Sequence, residues 1–192
     1  MAVLPITTVG DPVLRRRARE VGVDELRTPR VQRLIDDMID TMRHAGGAGL
    51  AANQVGELLR IAVVEVTADN PRYPYKPPIP LTVIVNPAIE TLGDETAEIN
   101  EGCLSVPDLR GTVERRVTIR VRRLDRDGRP CEDIRRGLTA GTFQHEVDHL
   151  DGILFLDRVR DPTTFTTWAQ FDRHHREAFV ARARALVERV GS

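Results

Sequence analysis

Thr139-Ala140-Gly141-Thr142-Phe143-Gln144-His145-Glu146-Val147-Asp148-His149-Leu150-Asp151 reads as one helix with two different faces. An α-helix turns about 100° per residue, so His145 and His149 fall on one face, one turn apart. With His145 at the origin, His149 lies at about 40°, Leu138 at about 20°, Thr142 at about 60° and Glu146 at about 100°. Ala140, Phe143, Val147 and Leu150 gather between about 140° and 220°. One side anchors the helix in a core, and the other presents two imidazoles and a carboxylate. Such a set is costly to bury unpaired. It is the arrangement that holds a divalent metal and lets the glutamate move protons to and from water.

Two histidines do not complete a metal site. The longer His-Glu-x-x-His pattern adds a glycine and then a third histidine. Gly152 stands at the glycine position, but Phe155 occupies the ligand position. Glu177, on a later helix, is one candidate third ligand; a cysteine is the other. Cys103 and Cys131 are the two cysteines, too far apart for a Cys-x-x-Cys pair. Cys131 follows Pro130 in what reads as the exit of a turn. Cys103 sits in Asn100-Glu101-Gly102-Cys103-Leu104-Ser105-Val106-Pro107, where the glycine allows close backbone approach and Pro107 is expected to end the element.

Glu101-Gly102-Cys103-Leu104-Ser105, then Gln144-His145-Glu146-x-Asp148-His149-Leu150-x-Gly152, resembles the peptide deformylases. A third stretch, Gly47-Ala48-Gly49-Leu50-Ala51-Ala52-Asn53-Gln54, matches their Gly-x-Gly-Leu-Ala-Ala-x-Gln signature. The three motifs occur in the family's order and span residues 47–152. The resemblance implies an α+β fold: small mixed or antiparallel sheets around a central metal-binding helix, with an N-terminal and a C-terminal helix. It implies hydrolysis of the formyl amide on the N-terminal methionine of newly made polypeptides, releasing formate.

Residue by residue, the resemblance implies Cys103, His145 and His149 as metal ligands and Glu146 as the proton-transferring carboxylate. Gln54 and the Leu104 backbone N–H are the implied oxyanion donors. Gly49 would let the backbone lie against the substrate. Leu138, Gly141 and Thr142 would line the methionine pocket. Deformylases commonly carry larger apolar residues at the last two positions, so a wider or more polar pocket is expected. Thiolate with two imidazoles suits Fe2+, Zn2+, Ni2+ or Co2+; the resemblance puts Fe2+ first.

A chain of 192 residues suits one catalytic domain over residues 1–192. With 28 basic and 29 acidic residues, its formal charge of −1 draws it to neither DNA nor membrane. Two unpaired cysteines and no leader-like segment suggest a reducing cytoplasm. A mildly basic C-terminal helix leaves a ribosome contact open.

The remaining elements follow from local pattern. Residues 1–27 read as an arm, with Arg15-Arg16-Arg17 solvated. Thr28 caps a helix with Pro29 at its first position, and Val31, Leu34, Ile35, Met38, Ile39 and Met42 form its apolar stripe. Strands are expected at 60–67, 81–86 and 95–99. Residues 112–124 alternate as one further strand. Residues 69–80, rich in proline, read as a stiff surface loop, and Asp125-Arg126-Asp127-Gly128 as a turn. A last helix is expected from Pro162 towards Val190, with His174 and His175 solvated.

Overall fold

The computed structural model describes residues 2–68, 70 and 75–192. In chain order its helices are α1 (Val23–Leu26), α2 (Pro29–His44), α3 (Gly137–Leu150), α4 (Phe155–Arg158), α5 (Trp168–His174) and α6 (Arg176–Val190). Its strands are β1 (Gly49–Ala51), β2 (Ile61–Val66), β3 (Ile79–Thr91), β4 (Thr96–Cys103), β5 (Val106–Arg116), β6 (Thr118–Leu124) and β7 (Pro130–Arg136). One antiparallel sheet has the order β1-β2-β3-β6-β7, and β4 and β5 form a separate hairpin.

The α+β expectation holds, and the reason lies in β2. Its residues are buried on both faces: Ile61 and Val63 meet the α2 stripe of Val31, Ile35, Met38 and Met42. Ala62 and Val64 meet Ala140, Phe143 and Leu150 of α3. The five-stranded sheet is therefore packed between α2 and α3, with each buried aliphatic side chain worth about 1.5–3 kcal/mol. The helix cap at Thr28 forms as expected, its side chain accepting from the Val31 N–H at 3.5 Å.

Several boundaries differ from those the sequence suggests. Residues 112–124 are not one strand. β5 ends at Arg116 and β6 begins at Thr118, in a different sheet. Between them the Val117 N–H donates to Glu95 O, and its carbonyl accepts from the Gly137 N–H. The alternation runs straight through this corner and so conceals it. Pro107 does not end an element; it stands near the start of β5, where its missing N–H is harmless. β4 accordingly runs on to Cys103, and the motif occupies a hairpin bend in which Cys103 pairs with Val106.

β3 extends beyond 81–86 in both directions and tolerates Pro87 through a bulge, with Asn86 at φ 49 and the register shifting between Val85 and Ala88. Ile79 and Pro80 belong to this strand, so the proline-rich loop is shorter than expected; Asp69 and residues 71–74 of it lie outside the described residues. Cys131 stands where the chain leaves the turn, as the second residue of β7, paired with Arg123. The C-terminal helix is two helices, interrupted at His175 (φ −124), after a 3-10 turn at Pro162–Thr164. Thr167 caps α5 by accepting from the Gln170 N–H.

Candidate active site

α3 is buried on nearly every side, and both of its ends are tied down. At the start Gly137 takes φ +51, a conformation that disfavours other residues. At the end the Gly152 and Ile153 N–H groups donate to His149 O and Asp148 O, at 2.9 Å each. The Asn53 amide also donates to His149 O, at 2.5 Å. Arg60 adds bonds to Leu150 O and to the Asp151 carboxylate. The two histidines thus project from a helix that cannot easily slide.

Cys103 reaches them from the β4–β5 bend. Its Sγ lies 3.1 Å from His149 Nε2, and one ligand atom from each of Cys103, His145 and His149 falls within 4.8 Å of the others. Glu177 is exposed and takes no part in this cluster, so of the two candidates it is the cysteine that joins the histidines. His174 and His175 are exposed, as expected. Burial pushes the Cys103 thiol up, but the charge of His149 and hydrogen bonds from both imidazoles outweigh it and bring the thiol to about 5.

Glu101 sets the orientation of His145. Its Oε2 lies 2.8 Å from His145 Nδ1, which leaves Nε2 for the cluster. Burial alone would push Glu101 up. The Arg115 charge and its bonds to His145 and Arg115 hold it far below the usual carboxylate range. Arg115 donates to Glu101 from Nε at 2.7 Å and to Asp148 Oδ2 from Nη1 at 2.5 Å. One buried guanidinium therefore ties the cysteine-bearing hairpin to the histidine-bearing helix. Burial lowers His145, and its bonds to Cys103 and Glu101 more than compensate, raising it well above its ordinary value.

Glu146 stands beside the cluster, 3% exposed, with Oε2 buried and without a hydrogen-bond partner. Desolvation raises its pKa, against the pull of the two histidines. Gln54 is also buried. Its Oε1 accepts from the Ala51 N–H at 2.8 Å, which turns Nε2 towards Ser105 Oγ (3.0 Å) and Cys103 Sγ (3.5 Å). The donor set of one thiolate and two imidazoles, with an unpartnered buried carboxylate oxygen alongside, fits a divalent metal.

Gln54, Glu146, Gly49, Leu104, Leu138, Gly141 and Thr142 all line one pocket with Cys103 and His145. The wall at residue 141 is not open, however. A Cβ on Gly141 would lie 2.6 Å from Ile99 Cδ1, so Ile99 supplies the bulk that Gly141 lacks. The greater polarity expected at residue 142 is present: Lys76 Nζ donates to Thr142 Oγ1 at 2.9 Å.

No local sequence pattern gives a role to Glu101, Ile99, Lys76, Tyr75 or Phe179, all of which line the pocket, or to Arg115. Arg115 did carry a signal, since it shares strand parity with the apolar Val113 and Val117. Phe179 carried none, because nothing local links α6 to the motifs.

The polypeptide deformylase family model matches residues 3–165. The peptide deformylase of Leptospira biflexa is 43% identical over 165 residues, covering 86% of this chain and 92% of its own. That of Desulforudis audaxviator is 45% identical over 159 residues, covering 83% and 95%. Among solved structures, the class I type b peptide deformylase from Acinetobacter baumannii with Met-Ala-Ser bound superposes with a TM-score of 0.79 at 41% identity. That match covers 82% of this chain and 99% of the other. The Synechococcus elongatus peptide deformylase in complex with actinonin gives a TM-score of 0.74 at 33% identity, covering 95% and 90%.

Proposed function

This chain belongs to the polypeptide deformylase family, and on that footing we propose how its own residues carry out the family's reaction. It is a metal-dependent hydrolase that removes the formyl group from the N-terminal formyl-methionine of newly made polypeptides and releases formate. The observation that carries this reading is the convergence of Cys103, His145 and His149 beside the buried Glu146 carboxylate.

Cys103, His145 and His149 would hold the ion. When bound, a divalent ion supplies Lewis acidity and lowers the pKa of water towards about 7. Glu146 takes a proton from the attacking water and returns it to the departing amine nitrogen, a role worth about 10²–10⁴ in rate. Its desolvated position suits that exchange, because a carboxyl with a raised pKa gives its proton back readily. The Gln54 amide and the Leu104 N–H face the developing oxyanion; one such donor is typically worth about 2.7–4 kcal/mol. Gly49 runs beside the substrate backbone, and Leu138, Gly141 and Thr142 border the methionine side chain.

Fe2+ is the ion proposed, with Zn2+, Ni2+ and Co2+ able to stand in. Residues 1–192 form one catalytic domain, acting in the cytoplasm and meeting the ribosome through α6, where Arg182 and Arg184 are exposed. Among the described residues no helix is long and apolar enough to cross a membrane.

The test is anaerobic purification with metal analysis, followed by a formate assay on formyl-Met-Ala-Ser. One equivalent of iron and formate release that stops on chelation are expected. A metal-loaded, folded protein that releases no formate would sink the proposal.

A further inference from the structure

The pocket beside the ligand cluster extends along α3 from His145 back to Leu138. Part of its far wall comes from a stretch of the chain outside the family match, which ends at residue 165. Phe179 of α6 lines that wall and is 3% exposed. Its ring meets Tyr75 edge-on at 5.1 Å and Phe171 at 5.7 Å. Tyr75 lines the same pocket, and Leu138 and Ile99 belong to the same apolar cluster as these rings.

The ring is firmly held. α6 is anchored through Ala183 and Leu186 in that cluster. Phe171 is fixed in turn by the Arg110 guanidinium, 4.2 Å from its ring centroid. A closely packed aromatic wall of this kind limits what fits, because protein interiors yield little to extra volume.

We propose that Phe179 determines specificity: it closes the far end of the side-chain pocket and sets how large a first residue the enzyme accepts. This rests on the deformylase reading above. It gives the C-terminal helix a part in substrate choice, and it transfers the size limit from residue 141, where Ile99 already fills the space, to residue 179.

The test compares wild type, Phe179→Ala, Phe179→Leu and Leu186→Ala. Leu186 shares the cluster but does not line the pocket, so its truncation controls for loss of packing. kcat/KM is measured on formyl-Met-Ala-Ser, formyl-Phe-Ala-Ser and formyl-Trp-Ala-Ser, and binding of the three deformylated tripeptides is measured separately. One methylene in an apolar pocket shifts kcat/KM by roughly 10- to 200-fold. The Trp-to-Met ratio should therefore rise at least about tenfold in Phe179→Ala, by a smaller factor in Phe179→Leu, and stay near wild type in Leu186→Ala. Tripeptide binding should shift in the same order. If Phe179→Ala does not fold, Phe179→Leu decides. An unchanged Trp-to-Met ratio in a folded, formate-releasing Phe179 variant overturns the inference, as does an equal shift in Leu186→Ala. Wild type releasing no formate from any of the peptides would instead overturn the deformylase reading itself.

Discussion

Glu146 lies where residue 49 has no side chain: a Cβ on Gly49 would stand 2.2 Å from Glu146 Oε1. The protein's own carboxylate fills the space a side chain at residue 49 would need. Glu146 Cδ and Cγ would also lie within 2.8 Å of that Cβ, so an alanine forces the buried side chain out of its place. Gly49→Ala should fold and bind metal normally but lose roughly 10²-fold in kcat, the scale set by about 1 Å of misplacement. Kinetics together with metal analysis checks this. Unchanged kcat would mean that the carboxylate's position is not critical.

Glu146→Ala removes the proposed proton carrier and leaves the Cys103, His145 and His149 cluster intact. Metal content should stay at the wild-type level while turnover falls by about 10²–10⁴. Loss of the metal would reassign Glu146 as a ligand, and activity within tenfold of wild type would end its proposed role.

The two cysteines should behave oppositely. Cys103→Ser replaces a buried thiolate within the cluster and should weaken metal binding strongly. Cys131, half-buried on β7, should tolerate serine with neither metal content nor rate affected. Titration with a competing chelator reads the difference, and equal effects would show that the wrong cysteine had been assigned.

Glu101→Gln keeps the shape but removes the charge that holds His145 and pairs with Arg115. Partners of this kind are typically worth 10–100-fold in metal affinity, so a loss of about that size is expected. Breaking one side of a buried pair also costs about 3–5 kcal/mol, visible as a lower unfolding midpoint. A wild-type metal affinity would show that His145 keeps its orientation without Glu101.

A further prediction concerns acid. Burial pushes Asp157 up, but it accepts from Arg15 and from the Leu154 N–H at the start of α4, and its pKa lies below the ordinary value. A depressed carboxylate stabilises the fold above its unfolded pKa of about 3.9, and that contribution is lost as pH falls through the lower, folded value. The pair is largely solvent-exposed, so the term is below about 1 kcal/mol. Asp157→Asn should unfold about 2 °C earlier at pH 7, with the gap closing below about pH 4. A gap that persists in acid would place the effect in the cap and not in the charge.

What could be read from sequence was whatever is written in local spacing. The Thr28 cap with its apolar stripe and the His145–His149 face rest on short-range patterns, whereas Cys103 is preferred to Glu177 only through the family resemblance of its motif. The corner at Val117 was hidden because alternation does not record which sheet a strand joins. β1 is not legible because three residues, all buried, are too few to show a period. Arg115 and Phe179 act across 33 residues to Asp148 and across more than a hundred to Tyr75, distances at which only the folded chain shows who meets whom.

Arg115 clamps hairpin and helix using groups that are not ligands. The spacing of Cys103, His145 and His149 is therefore built by the fold before any ion arrives, unlike small domains that take shape only around their metal. Such a protein can be emptied and refilled. After chelation it should remain folded and unfold cooperatively, and formate release should return on adding Fe2+ without a refolding step. Loss of the ion would then be a reversible interruption of the enzyme's work and not its destruction.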